Sequence, residues 1–194
     1  MDWRLFTLIN GLAGRSAAVD AVMKIATETG PYVYAVLLVL AWFLTALPPG
    51  AGRREYRVTL LRAALASVLA LAVNWFFSAV YYRPRPFVAR PGEVRLLLTH
   101  APDSSFPSDH AALGAAVTTG VWPAGRRFLN ALFFAWTVLV AISRVFVGHH
   151  YPSDVLAGLL IGMASGMVIG SVRQFVDRWL ATVVALSDRL WPWQ

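Results

Sequence analysis

Five stretches of this chain are apolar over the thickness of a bilayer, and that constrains everything else it can become. A spanning helix needs about 20 apolar residues, within a range of about 17 to 25. Residues 31–47 (PYVYAVLLVLAWFLTAL) and 63–82 (AALASVLALAVNWFFSAVYY) carry no charge at all and are separated by the turn-rich PPGAGRREYR. Residues 107–123, 128–145 and 152–172 are also apolar, but each has charged residues or histidine at one end. With 58% hydrophobic and only 14% charged residues, the chain lacks the polar surface of a soluble fold. Its 194 residues suit one domain. The expected fold is all-α: a multi-span transmembrane helical bundle of five to six spans, forming a single domain over residues 1–194.

The two ends are less apolar. Asp20, Lys24 and Glu28 recur at i, i+4, i+8, which predicts an N-terminal amphipathic helix lying at the interface. Beyond Arg173, charged residues interrupt Phe175, Trp179, Val183 and Leu190, and the chain closes on Trp-Pro-Trp, a composition suited to the membrane surface. A sixth span is open in either segment. No cleavable leader pattern follows the first residues. The absence of cysteine excludes disulfides, thiolate metal sites and a cysteine nucleophile.

The net charge of +7 comes from sixteen arginines and one lysine. In a chain this apolar it points to retained loops or an anionic ligand, and nucleic acid is not an expected partner. Arg53, Arg54 and Arg57, then Arg126 and Arg127, then Arg173 and Arg178 fall in loops on one side of the predicted bundle. The positive-inside rule makes that side cytoplasmic. The loop from Arg83 to Phe106 and the turn at His149-His150 then face outward.

All four histidines (His100, His110, His149 and His150) lie on this outer side, with Asp109 and Asp154 at helix starts and Arg144 at a helix end. Three stretches converge there: YYRPRPF (81–87), FPSDHAAL (106–113) and SRVFVGHHYPSD (143–154). Each alone has an ordinary explanation. Arg83-Pro84-Arg85-Pro86 is a helix stop with snorkelling arginines; Pro107-Ser108-Asp109 is a helix start; Arg144 complements a helix dipole; His150 and Asp154 at i, i+4 staple a turn. The combination favours chemistry. Phosphoryl transfer needs donors around three oxygens, an in-line nucleophile and an acid for the leaving oxygen. Arg85 and Arg144 suit the oxygens, together with the Ser108 hydroxyl and the free N–H groups of the helix that begins at Pro107. His150 suits the nucleophile, and Asp154 suits the acceptor that fixes its tautomer. His110 suits the acid that protonates the leaving group and then activates water. The scheme needs no metal and no cofactor, and the carboxylate cluster of a magnesium-dependent phosphatase is missing.

The three stretches resemble the signature of the type 2 phosphatidic acid phosphatase superfamily, written KxxxxxxRP, PSGH and SRxxxxxHxxxD. Ser143, Arg144, His150 and Asp154 match the third motif in full, and its spacing selects His150 over His149. The second reads Pro107-Ser108-Asp109-His110, with aspartate in place of glycine, similar to bacitracin-resistance-type undecaprenyl-pyrophosphate phosphatases. In the first, Arg85-Pro86 matches, but Ser78 occupies the lysine position, leaving Arg83, His100 or Asn74 to compensate. The resemblance implies a multi-pass protein of the cytoplasmic membrane whose site sits at the outer mouth of a helical bundle. It also implies hydrolysis of undecaprenyl pyrophosphate to undecaprenyl phosphate and inorganic phosphate through a phosphohistidine. Asp109 is expected to turn aside from the phosphate and orient a loop donor.

The first alternative is a phosphatase for phosphatidic acid, phosphatidylglycerol phosphate or another lipid phosphate. An ion-coupled transporter is more distant, because the ionisable residues lie at helix ends and not in the apolar interiors. A non-catalytic membrane scaffold is a third. Gly158, Gly162, Gly166 and Gly170 form a smooth ridge, read first as packing within the bundle and second as a homodimer face.

Overall fold

In a computed structural model, residues 1–43 and 51–190 are described. The Pro-Pro-Gly part of the first predicted turn, the last residues of the 31–47 stretch and the Trp-Pro-Trp end lie outside the described residues. The chain is helical: α1 (Asp2–Asn10), α2 (Ala17–Phe43), α3 (Ala51–Val80), α4 (Pro86–Ala89), α5 (Asp109–Val121), α6 (Arg127–Phe146), α7 (Pro152–Ser171) and α8 (Arg173–Leu190). Four of these, α2, α3, α6 and α7, are long and apolar enough to cross a membrane. The fifth predicted span, α5, has 13 residues followed by a 3₁₀ turn over Trp122–Ala124. At 1.5 Å per residue it is only about 20 Å long. Ala111, Ala112, Ala115, Ala116, Val117 and Val121 are all buried along it, so protein surrounds it where lipid surrounds the others.

Alternating directions bring the chemically interesting ends together. Tyr34 Oη donates to Thr137 Oγ1 at 2.9 Å and Thr27 Oγ1 to Ser143 Oγ at 2.8 Å, so α2 runs antiparallel to α6. Ala63 packs on Gly120 while Asn74 reaches Asp109, which sets α3 antiparallel to α5. Gly158 meets Ser108 and Gly166 meets Thr119, which sets α7 parallel to α5. The end of α3, the starts of α5 and α7 and the end of α6 therefore meet at one mouth.

Two boundaries differ from the sequence expectation. The amphipathic N-terminal helix is confined to α1, and the segment bearing Asp20, Lys24 and Glu28 belongs to the first spanning helix. The chain breaks earlier, at Gly14 (φ 75°), whose N–H donates to the Asp20 carboxylate at 3.0 Å. The second helix then continues through Pro31. At the other end, α8 lies against α3, with Asp188 2.6 Å from Arg57 and Asp177 3.3 Å from Arg62. Its opposite face exposes Phe175, Trp179, Leu186 and Leu190, as an interfacial helix requires.

The glycine ridge is used inside the bundle. A Cβ on Gly158 or Gly162 would strike the Ser108 and Ala112 carbonyl oxygens of α5, whereas Gly170 faces open space. The ridge therefore carries no case for a second copy. Gly162→Val is expected to destabilise the protein by at least about 1–3 kcal/mol through overpacking. Gly170→Ala should be neutral or stabilising by up to about 1 kcal/mol through helix propensity. Thermal unfolding in detergent checks both.

Candidate active site

Local backbone features position the key side chains. Arg85 is extended (φ −63°, ψ 155°) and precedes Pro86 at the first position of α4, as a residue before proline should be. Ser108 is likewise extended (φ −81°, ψ 113°) where it precedes Asp109 at the start of α5. Helix α6 ends in a left-handed turn at Gly148 (φ 92°), where a Cβ would also press on Val94. Glycine alone fits that turn easily. It delivers His149 and His150 to the mouth, with both N–H groups donating to the Arg144 carbonyl at 3.1 Å.

His150 is buried and its tautomer follows from its partners. Nδ1 lies 2.7 Å from the Ser105 carbonyl oxygen, which can only accept, so Nδ1 carries the proton. Nε2 then presents its lone pair to two donors, Arg85 Nη1 and Arg144 Nη2, each at 3.2 Å. Burial, with Arg144 and Arg85 alongside, holds the ring's pKa well below the ordinary histidine value. The imidazole is neutral at physiological pH. Arg85 is further held by the Asp103 carboxylate at 2.7 Å and the His149 carbonyl at 3.0 Å.

This arrangement opens on a cleft of about 670 Å³ lined by Arg85, Arg144, His150, His110, His100 and Asp109, with Leu71, Trp75 and Ala79 of α3 as its apolar wall. The His110 ring is turned toward the Thr27 backbone of α2, whose carbonyl favours a proton on the ring. Pro31 stands four residues after Thr27 inside the same helix. Proline has no N–H, so the Thr27 carbonyl lacks its usual helical donor and is free to accept from the ring.

Asp154 is fully buried, and its Oδ2 stands 3.9 Å from His150 Nδ1. The carboxylate accepts instead from Ser105 Oγ (2.6 Å), the Tyr151 N–H (2.9 Å) and Arg83 Nη1 (2.5 Å). The same serine thus binds Asp154 with its hydroxyl and His150 with its carbonyl, so the carboxylate is linked to the imidazole through Ser105. Arg83, expected among the phosphate ligands, does not line the cleft. It is committed to Asp154, to Asp2 (2.7 Å) and to Ser153 (2.7 Å), and it stacks on Tyr151. Two carboxylates hold it away from the mouth.

The remaining expected residues divide. Asp109 lines the cleft and accepts from Asn74 Nδ2 at 3.0 Å, so its partner is a side chain of α3 and not a loop donor. Ser108 Oγ is buried without a hydrogen-bond partner, and it is absent from the cleft wall. His100 reaches the cleft and packs edge-on against His149 with centroids 4.6 Å apart. His149 turns away, bonding the Leu98 carbonyl at 2.9 Å. Burial and the Arg144 charge push its pKa down to about 3. Ser78, at the lysine position, lines the cleft and donates to the Phe106 carbonyl at 3.2 Å. Ser105, Asp103, Asp2 and the Thr27–Pro31 break were not singled out from sequence. Only the proline inside an apolar stretch carried a readable signal.

The PAP2 superfamily profile matches residues 59–178. The chain is 31% identical to undecaprenyl-diphosphatase BcrC of Bacillus subtilis, over 98% of this chain and 95% of that protein. It is also 31% identical to the putative undecaprenyl-diphosphatase YbjG of Escherichia coli, over 100% of this chain and 90% of that one. The crystal structure of Aquifex aeolicus LpxE is similar with a TM-score of 0.72 and 25% identity, covering 88% of this chain and 94% of that one. A match of this extent in profile, sequence and fold leaves one conclusion: the chain belongs to the PAP2 superfamily and is a membrane lipid phosphatase of that type.

Proposed function

We propose that the chain hydrolyses undecaprenyl pyrophosphate to undecaprenyl phosphate and inorganic phosphate. The observation that carries the chemistry is the lone pair of His150 Nε2, held between two guanidinium groups at the base of the cleft. The naming of full-length relatives as undecaprenyl-diphosphatases supports the substrate. The apolar wall of Leu71, Trp75 and Ala79 gives the prenyl chain a route from lipid, since Trp75 is 74% exposed on α3.

In the proposed reaction, Arg85 and Arg144 bind non-bridging oxygens of the terminal phosphate and orient it over Nε2. Nε2 attacks phosphorus while the bond to the bridging oxygen breaks. His110, whose pKa burial and the Arg144 charge push down to about 3, takes up a proton against the bound phosphate dianion and gives it to that oxygen. The product stage is a phosphohistidine with undecaprenyl phosphate released. His110, now neutral, takes a proton from water as the water oxygen attacks phosphorus, and inorganic phosphate departs as the N–P bond breaks. The Ser105 carbonyl keeps the Nδ1 proton in place, so the positive charge that develops on the ring is met there. The buried Asp154 acts one step further away, by fixing Ser105.

The site is proposed to face the extracytoplasmic side of the cytoplasmic membrane. Arg53, Arg54, Arg126, Arg127, Arg173 and Arg178 lie at the opposite end. Several arginines at the mouth are instead engaged: Arg83 with two carboxylates, Arg85 with Asp103, and Arg95 with the Gly11 and Ala13 carbonyls. These arginines serve the site and its walls, which gives them a reason to stand on the translocated side.

Purified protein in detergent should release phosphate from undecaprenyl pyrophosphate in preference to undecaprenyl phosphate or phosphatidic acid, and His150→Ala should lower kcat by about three orders of magnitude or more. Preference for a lipid monophosphate would overturn the substrate assignment. Ser105→Ala should lower kcat about tenfold with KM nearly unchanged, by loosening Asp154 from the histidine. Pro31→Ala returns an N–H donor to the Thr27 carbonyl and competes with His110. It should slow alkyl phosphates about tenfold while sparing aryl phosphates, whose leaving groups need no proton. Equal losses on both substrate types would show that Pro31 matters for stability alone.

A further inference from the structure

The end of the bundle remote from the catalytic cleft holds two adjoining cavities that the reaction does not use. One, of about 480 Å³, is polar and lies where α3, the turn before α6 and the start of α8 meet. Arg62, Arg126 and Arg173 line it together with Thr59 and a single carboxylate, Glu55. The other, of about 710 Å³, runs between α2 and the start of α6, and Leu37, Leu40, Phe128 and Leu132 make it apolar. Tyr56, Gly125 and Arg126 belong to both walls, so the cavities lie side by side.

Arg126 sits at that junction with its guanidinium 5.4 Å from the Tyr56 ring centroid. Its Nη2 is enclosed and has no hydrogen-bond partner. A buried guanidinium donor left unsatisfied is costly, and an oxyanion supplies what it lacks. Arg62 is only 7% exposed and donates to Thr59 Oγ1 at 2.8 Å, with Asp177 as its ion-pair partner at 3.3 Å. Counting Glu55 and Asp177 against Arg62, Arg126 and Arg173, the polar cavity keeps a positive excess. It adjoins, across Tyr56 and Arg126, a groove of acyl-chain character. An anionic head and an apolar tail joined at one atom match this pair of cavities, whereas a free anion would leave the groove unfilled.

We propose that this end of the bundle is a binding site for an anionic phosphodiester phospholipid. Its phosphate occupies the polar cavity against Arg126 and Arg173, and one acyl chain lies in the groove between α2 and α6. The site is separate from the catalytic cleft, at the opposite ends of α5 and α6, and its ligand is not hydrolysed.

Native mass spectrometry of the full chain in detergent, titrated with phosphatidylglycerol, phosphatidylcholine or inorganic phosphate, tests this. The difference between wild type and variant is read, so lipid in the catalytic cleft cancels. Wild type should bind phosphatidylglycerol about tenfold more tightly than phosphatidylcholine, and Arg126→Gln should remove that preference. Arg173→Gln, at an exposed position, should weaken it in the same direction, with phosphatase activity retained as the check on folding. Equal binding of the two lipids by wild type, or an unchanged preference in a folded Arg126→Gln or Arg173→Gln variant, would overturn the proposal. So would displacement of phosphatidylglycerol by inorganic phosphate at comparable concentration, which would mark a free-anion site.

Discussion

Two guanidinium groups, from Arg85 and Arg144, donate to the same imidazole nitrogen at the buried end of a cleft. Like charges so placed repel, and Arg144 is 3% and Arg85 5% exposed, so neither has much water to screen it. Asp103 compensates Arg85 from the rim, and Asp109, held by Asn74 at the cleft wall, acts on Arg144. The convergence of both guanidinium groups on Nε2 favours a phosphate anion directly against them and a neutral ring beneath it. Both consequences serve the proposed attack, because a protonated His150 would have no lone pair to offer. The strain of holding the cations together is met by substrate in place of protein, which is how electrostatic preorganisation favours a charged transition state.

The scaffold keeps this arrangement fixed through contacts that tolerate little adjustment. Parallel packing of α5 on α7 through Gly158 and Gly162 sets the relative height of the His110 and Asp154 helix starts. The left-handed turn at Gly148 sets where the chain leaves α6. Helix α1 contributes from outside the bundle: Asp2 receives Arg83, the Ser153 N–H and the Ser153 hydroxyl. Asn10 bridges the Phe146 and Arg95 backbones. The amphipathic segment is thus part of the wall around the site as well as a membrane-surface element.

The spans and the three motif stretches were legible because each depends on local composition or fixed spacing. Apolar runs report burial, in lipid for α2, α3, α6 and α7 and in protein for α5, and S-R-x5-H-x3-D reports which end of which helix carries the reactive groups. What sequence could not give was the partner of each side chain. Arg83 and Arg85 sit two residues apart in one motif, yet one is captured by Asp2 and Asp154 and the other faces the cleft. Asp154 at i+4 from His150 looked like a direct partner, but the turn at Tyr151 points its carboxylate at Ser105. Contacts such as Asp2 to Ser153 join residues 151 positions apart and leave no trace in spacing. The extent of α2 was missed for a different reason: Asp20, Lys24 and Glu28 give the stretch before Pro31 the pattern of an interfacial helix, whereas in the bundle the helix continues through Pro31 because a neighbouring helix can satisfy the freed carbonyl.

The account rests on His150 Nε2 as the atom that receives phosphate. Rapid quenching of turnover in alkali, followed by peptide mapping and phosphorus NMR of the trapped adduct, tests this most directly. The expected result is an acid-labile, alkali-stable phosphoryl group on His150 at Nε2, because the Nδ1 proton is held by the Ser105 carbonyl. A phosphoryl group on His110, on His149 or on Nδ1 of His150 would contradict it, as would turnover that passes through no covalent adduct at all.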